Sequence, residues 1–173
     1  KVYCLITGYG TDGPYSGLPT YDSVVQGATG MAGLMLARDG APAYVPMLIC
    51  DHVVGEITAG AIIAAVMQRN ATGCGSSIEI PMFETMIPYV LGDHLYGHTF
   101  DPPKGDFGYP RLMSPQRRPY KTKDGYVCCL IYTDRHWDIF LHAVGKADLL
   151  KTDPRLADIR TRTQAIDALY QLV

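Results

Sequence analysis

Charge is scarce in this sequence of 173 residues. Lysine and arginine number 15 and aspartate and glutamate 17, so charged residues make up 18% and the formal net charge is −2. A chain without a surplus of positive charge lacks the basic footprint of a dedicated nucleic-acid binder. Long apolar runs are also missing. The longest, Ile57 to Met67, is about half of what a membrane span needs, so no membrane association is expected. Tryptophan occurs once and cysteine five times, an odd number. Cys4, Cys50, Cys74, Cys128 and Cys129 do not form a disulfide framework. Those in apolar runs are expected as buried thiols of a protein kept in the reducing cytoplasm. No lipidation motif or secretory leader is read at the start. The chain opens directly on a strand-like run and stops inside a helical pattern, so both ends are expected to be cut from a longer protein.

Apolar residues make up 47%, enough for a sizeable core. Lys1 to Thr7 reads as a buried strand closed by Gly8, and Gly8 to Pro19 as a loop dense in glycine and proline. Tyr21 to Met35 has helical spacing, with Asp22 or Ser23 as its cap. Tyr44 to Cys50 is predicted as a second strand, His52 to Arg69 as a helix ended by Gly73, and Ser76 to Pro81 as a third strand. Met82 to Tyr96 is predicted as a helix that Pro88 kinks or divides. Strands alternating with helices imply an α/β fold with a parallel, Rossmann-like sheet. Residues 1–98 are thus expected as part of a large α/β domain and 99–118 as a linker rich in proline and glycine. Residues 119–173 are expected as part of a small α+β domain. There, Asp124-Gly125 between strand-like runs signals a hairpin. Asp134 is placed as a helix cap, and Asp153-Pro154 as the start of a further helix.

Three chemical signals are set aside. Gly8-Tyr9-Gly10-Thr11-Asp12-Gly13 fits the dinucleotide fingerprint G-x-G-x-x-G, but Pro14, Gly17 and Pro19 prevent a helix from opening behind it. The acidic partner about 20 residues on is missing too. His94 and His98 stand four apart beside Asp93, yet no complete ligand set follows, so no metal is expected. Arg111, Arg117, Arg118, Lys121 and Lys123 form a local basic cluster, read as a solvated linker and hairpin face.

Asp51 remains. It is expected at the carboxyl end of the second strand and just before a helix, the edge where ligands collect in open α/β sheets. An aspartate there is most often an ordinary N-cap. A helix N-terminus also favours the ionised carboxylate, which is the form that attacks as a nucleophile. The residues alone leave both roles open.

Several stretches resemble the class III CoA-transferase family, the CaiB/BaiF type that includes formyl-CoA and carnitine-CoA transferases. They are Ile6-Thr7-Gly8-Tyr9-Gly10-Thr11-Asp12-Gly13-Pro14-Tyr15, Tyr21-Asp22-Ser23-Val24-Val25-Gln26, Val45 to Asp51, and Met67 to Gly75. Gly108-Tyr109-Pro110-Arg111, Arg117-Arg118-Pro119-Tyr120 and Lys123 to Val127 continue the likeness, which covers nearly the whole chain in order and spacing. The resemblance implies Asp51 as a nucleophile that forms a covalent aspartyl intermediate while coenzyme A passes from an acyl-CoA to a carboxylic acid. It implies Tyr21 and Met82 as residues that contact CoA. It also implies that no cofactor is permanently bound, CoA and acyl-CoA being substrates, and that the assembly is an interlocked homodimer. Related α-methylacyl-CoA racemases carry histidine at the position of Tyr21. A tyrosine phenol is a poor proton partner at neutral pH, so transfer is favoured over racemisation. The remaining alternative is an inactive CoA-binding or interaction fragment. The family's glycine-rich active-site loop is not evident, and its N-terminal CoA-gripping segment lies outside these residues.

Overall fold

The computed structural model describes residues 1–173, in two compact units, Lys1–Phe107 and Gly108–Val173. In the first, β1 (Val2–Thr7) pairs in parallel with β2 (Ser76–Pro81), in a register that sets Val2 opposite Ser76 and Thr7 opposite Pro81. Between them run α1 (Asp22–Ala28), α2 (Met31–Asp39) and α3 (Ile49–Thr72), and α4 (Met82–His94) follows β2 directly. The α/β expectation holds as a mixed fold, with a small parallel sheet of two strands.

Several boundaries differ from the sequence reading. The helix expected over 21–35 is two, because Gly30 takes φ +88° and ends the run. The predicted strand Tyr44–Cys50 is instead an irregular segment that enters α3 at Ile49. Pro46, in its middle, lacks the N–H that a sheet ladder would need. Pro88 stays inside an unbroken α4, and Gly73 closes α3 in the left-handed conformation, as a glycine C-cap does.

Val25, Cys50, Val54 and Met86 form the buried core of this unit, with Ile80 and Met82 packed against it. Helix α3 buries a stripe through Cys50, Val54, Thr58 and Ala65, while Ile63 and Met67 stand exposed. With 24 residues it is long and apolar enough to cross a membrane by length and composition, although no single apolar run in it is that long.

The second unit holds α5 (Pro110–Met113), the hairpin strands β3 (Tyr120–Lys121) and β4 (Tyr126–Val127), and helices α6 (Asp134–Ala143), α7 (Leu149–Thr152), α8 (Ile159–Gln164) and α9 (Ile166–Tyr170). Thr133, not Asp134, caps α6 and forms a reciprocal box with His136. Asp153 caps a short 3₁₀ turn, Pro154–Leu156. Ile131, Trp137, Leu141, Leu169 and Tyr170 make its core. Buried Arg111 lies over the Tyr132 ring at 4.0 Å, and buried Arg162 pairs with Asp134. The thiols correct the sequence reading: only Cys50 is buried, Cys4 is half-buried, and Cys74, Cys128 and Cys129 are exposed.

Candidate functional site

The loop after β1 and the start of α4 are tied together at the carboxyl edge of the strand pair. The Phe83 N–H donates to the Gly8 carbonyl at 3.0 Å. Glu84 accepts from the Gly10 N–H at 2.9 Å, and Glu79 accepts from the Thr11 N–H at 2.7 Å and the Thr11 hydroxyl at 2.8 Å. Two amides of the apparent dinucleotide fingerprint are thus taken by the protein's own carboxylates. No helix opens behind the loop, so it does not offer the phosphate cradle that the fingerprint needs. Thr20 packs directly on Gly8, so close that a Cβ there would meet its methyl group at 2.2 Å. Tyr21 therefore follows immediately beside the same edge.

Helix α3 enters this edge without a cap of its own. Leu48 occupies the cap position and offers no side-chain acceptor. The missing acceptor comes from α1. The Asp22 carboxylate takes the Cys50 N–H at 2.7 Å and the Asp51 N–H at 3.2 Å through Oδ2. Its Oδ1 accepts from Gln26 Nε2 at 2.6 Å. Gln26 in turn accepts the Val45 N–H at 2.8 Å and faces the carbonyls of Val45 and Met47, each at 3.3 Å. A buried carboxylate and a buried amide thereby hold the approach to α3 in place of a neighbouring strand.

Asp51 lies in the first turn of α3, with its side chain exposed. This corrects the sequence reading, which sets it at the end of a strand. Tyr21, the residue before Asp22, is 77% exposed. Because Asp22 holds the Asp51 amide, Tyr21 and Asp51 are brought together across 30 residues of sequence. Met82 is half-buried at the start of α4, against the cluster that contains Cys50. The three candidates thus gather around one edge of the first unit. Cys50 lies behind them. Burial, then the negative charges of Asp22 and Asp51, push its thiol up to about 11. It is held as a neutral thiol and supplies no nucleophile.

Sequence reasoning treats Asp22 as a cap for its own helix and misses Gln26, Glu79 and Glu84. The available signal is Asp22 and Gln26 four apart, a spacing at which such side chains pair on a helix. His94 and His98 instead border an apolar hollow of about 400 Å³ with Gly33, Leu34, Val90 and Leu91, and no cluster of three metal-ligating side chains forms. Arg117 and Arg118 line a shallow hollow with Cys128 and Cys129.

The chain is similar to known proteins over nearly its whole length. The family model described as CoA-transferase family III matches residues 2–173. A probable fatty acyl-CoA transferase of Mycobacterium tuberculosis, Rv3272, is 27% identical over 175 residues, covering 94% of this chain and 43% of its own length. The succinyl-CoA:glutarate CoA-transferase of Mus musculus is 30% identical over 129 residues, 73% of this chain and 29% of that protein. A crystal structure of Rv3272 superposes with a TM-score of 0.78 at 26% identity, over 99% of this chain and 45% of that one. A CaiB/BaiF family protein from Brucella suis gives a TM-score of 0.68 at 26% identity. The chain spans less than half the length of these relatives.

Proposed function

This chain belongs to CoA-transferase family III, and on that premise we propose that the complete protein moves coenzyme A between an acyl-CoA and a carboxylic acid, with Asp51 as the nucleophile. A carboxylate oxygen of Asp51 attacks the thioester carbonyl. The carbon–sulfur bond breaks, CoA leaves as the thiolate, and a mixed anhydride remains. The thiolate then attacks the aspartyl carbonyl, which releases the donor acid and leaves an aspartyl-CoA thioester. The acceptor carboxylate attacks that thioester to give a second anhydride and free thiolate. Attack of the thiolate on the acceptor's acyl carbon yields the new acyl-CoA and restores Asp51. An acyl anhydride stays reactive at each stage, which a serine ester would not.

The observation that carries this reading is the exposed Asp51 carboxylate, set in the first turn of α3 with its backbone tied to the residue next to Tyr21. Tyr21 and Met82 are assigned to the thiol end of CoA, and the β1–β2 pair to a larger Rossmann-like sheet. The named substrates of relatives, succinyl-CoA with glutarate or mesaconate, fit small dicarboxylic acids as acceptors. The assembly proposed is a cytoplasmic homodimer that acts without a resident cofactor, in keeping with five free thiols.

The test is to incubate the complete enzyme with acyl-CoA and no acceptor, then analyse its peptides by mass spectrometry. A CoA adduct on the peptide that contains Asp51 is expected. Solvent deuterium entering the α-carbon of the acyl group, with no adduct, would point to a racemase. Neither signal would leave only a CoA binder.

A further inference from the structure

We infer that Asp22 is a positioning residue for the transfer reaction, acting through the backbone of Asp51, an inference that rests on the proposed role of Asp51. The side chain is 4% exposed, and both of its oxygens are engaged. Its partners are not those of an ordinary cap. It does not cap its own helix, since the first turn of α1 already contains it and Tyr21 holds the cap position without a side-chain bond. Its carboxylate reaches 29 residues forward to the first turn of α3 and fixes the two amides that flank the Cα of Cys50.

The arrangement couples two things through one side chain. The main chain of Asp51 is held by Oδ2, and the approach through Val45 and Met47 is held by Oδ1 by way of Gln26. A nucleophile must meet its target carbon within a few tenths of an ångström and along a defined line, and such precision comes from groups whose own positions are locked. Gln26 is 1% exposed and donates to Asp22, so the carboxylate cannot rotate away without giving up that bond and leaving the buried Cys50 N–H without its acceptor.

The complete enzyme is compared with Asp22→Ala, Asp22→Asn and Asp51→Asn. Asp22→Ala removes the acceptor, and its kcat is expected to fall at least thirtyfold while KM for acyl-CoA stays within twofold. Asp22→Asn keeps a neutral acceptor oxygen for the Cys50 and Asp51 amides, but turns its donor toward Gln26. It is expected to recover most of that loss, to a kcat three- to tenfold below the parent. Adduct formation on Asp51 in a single turnover should slow in the same proportion. A purely structural role would lower the melting temperature and leave kcat per folded molecule intact, and that result overturns the inference. So does Asp22→Asn at the parent's full kcat, which is decisive even where Asp22→Ala fails to fold. An Asp51→Asn enzyme with full activity sinks the nucleophile itself. An inert Asp51→Asn beside fully active Asp22 variants removes only the positioning role.

Discussion

The carboxylate of Glu84 accepts the backbone N–H of Gly10, 74 positions earlier in the chain, at 2.9 Å. Gly10 is buried, so this amide has no water to turn to. Replacing Glu84 with alanine leaves a buried donor unpaired, and a loss of about 1–3 kcal/mol is expected in denaturant unfolding. Glu84→Gln keeps an acceptor oxygen and is expected to cost less. Gly10→Ala sets a Cβ 3.1 Å from the same carboxylate and should disturb the same bond.

Asp51→Asn is expected to abolish transfer, by at least about a thousandfold, because an amide oxygen does not form the anhydride. The fold should survive. The side chain is exposed, and loss of one negative charge from the first turn of α3 costs about 0.3–1 kcal/mol. Steady-state transfer and thermal unfolding of the same preparation check both halves.

Gly97 is a position where only hydrogen fits. It is buried, donates to the Asp106 carbonyl at 3.2 Å and accepts from the Lys104 N–H at 3.0 Å. A Cβ there would stand 2.3 Å from the carbonyl oxygen of Gly105. Backbone cannot swing aside as a side chain can, so Gly97→Ala is expected to destabilise the first unit by about 1–3 kcal/mol. Gly33 has open space around it, and Gly33→Ala, inside α2, should be neutral or mildly stabilising. Paired unfolding curves distinguish the two.

The thiols differ in reactivity with a definite dependence on pH. Cys50 is pushed up to about 11 from 9.0, so at pH 8 almost none of it is thiolate. Brief alkylation of the native protein at pH 8 should label Cys74, Cys128 and Cys129, which are exposed, and spare Cys50. The folded-state value lies above the unfolded one. The corresponding contribution to stability is therefore full below pH 9 and is lost as pH rises toward 11. Labelling of Cys50 below pH 9 at the rate of Cys74 would contradict this.

Much of the first unit is legible in the sequence because its signals are local. Gly73 and Gly30 carry their turns in their own backbone freedom, and β1 and β2 are short runs bounded by glycine or proline. The segment Tyr44–Cys50 misleads because its apolar side chains imitate a strand, whereas the amide of Gln26 supplies the bonds that a neighbouring strand would have given. Asp51 stands out as a residue at a helix start, but the acceptor that caps that helix lies 29 residues away, beyond the reach of any local pattern. Cys128 and Cys129 read as strand residues. Strand β4 ends at Val127, and both thiols face solvent.

Helix α3, with Asp51 in its first turn, runs for 24 residues, about 36 Å, and β2 leads the chain back to Met82. The turn at Thr72–Gly75 is thus the far pivot between α3 and β2, and Met82, just past β2, packs against the cluster that contains Cys50. Adding or deleting one residue at that pivot would slide β2 along β1 by about 3.3 Å and turn its side chains over. The placement of Met82 against the Cys50 cluster is therefore set in part at the far end of α3.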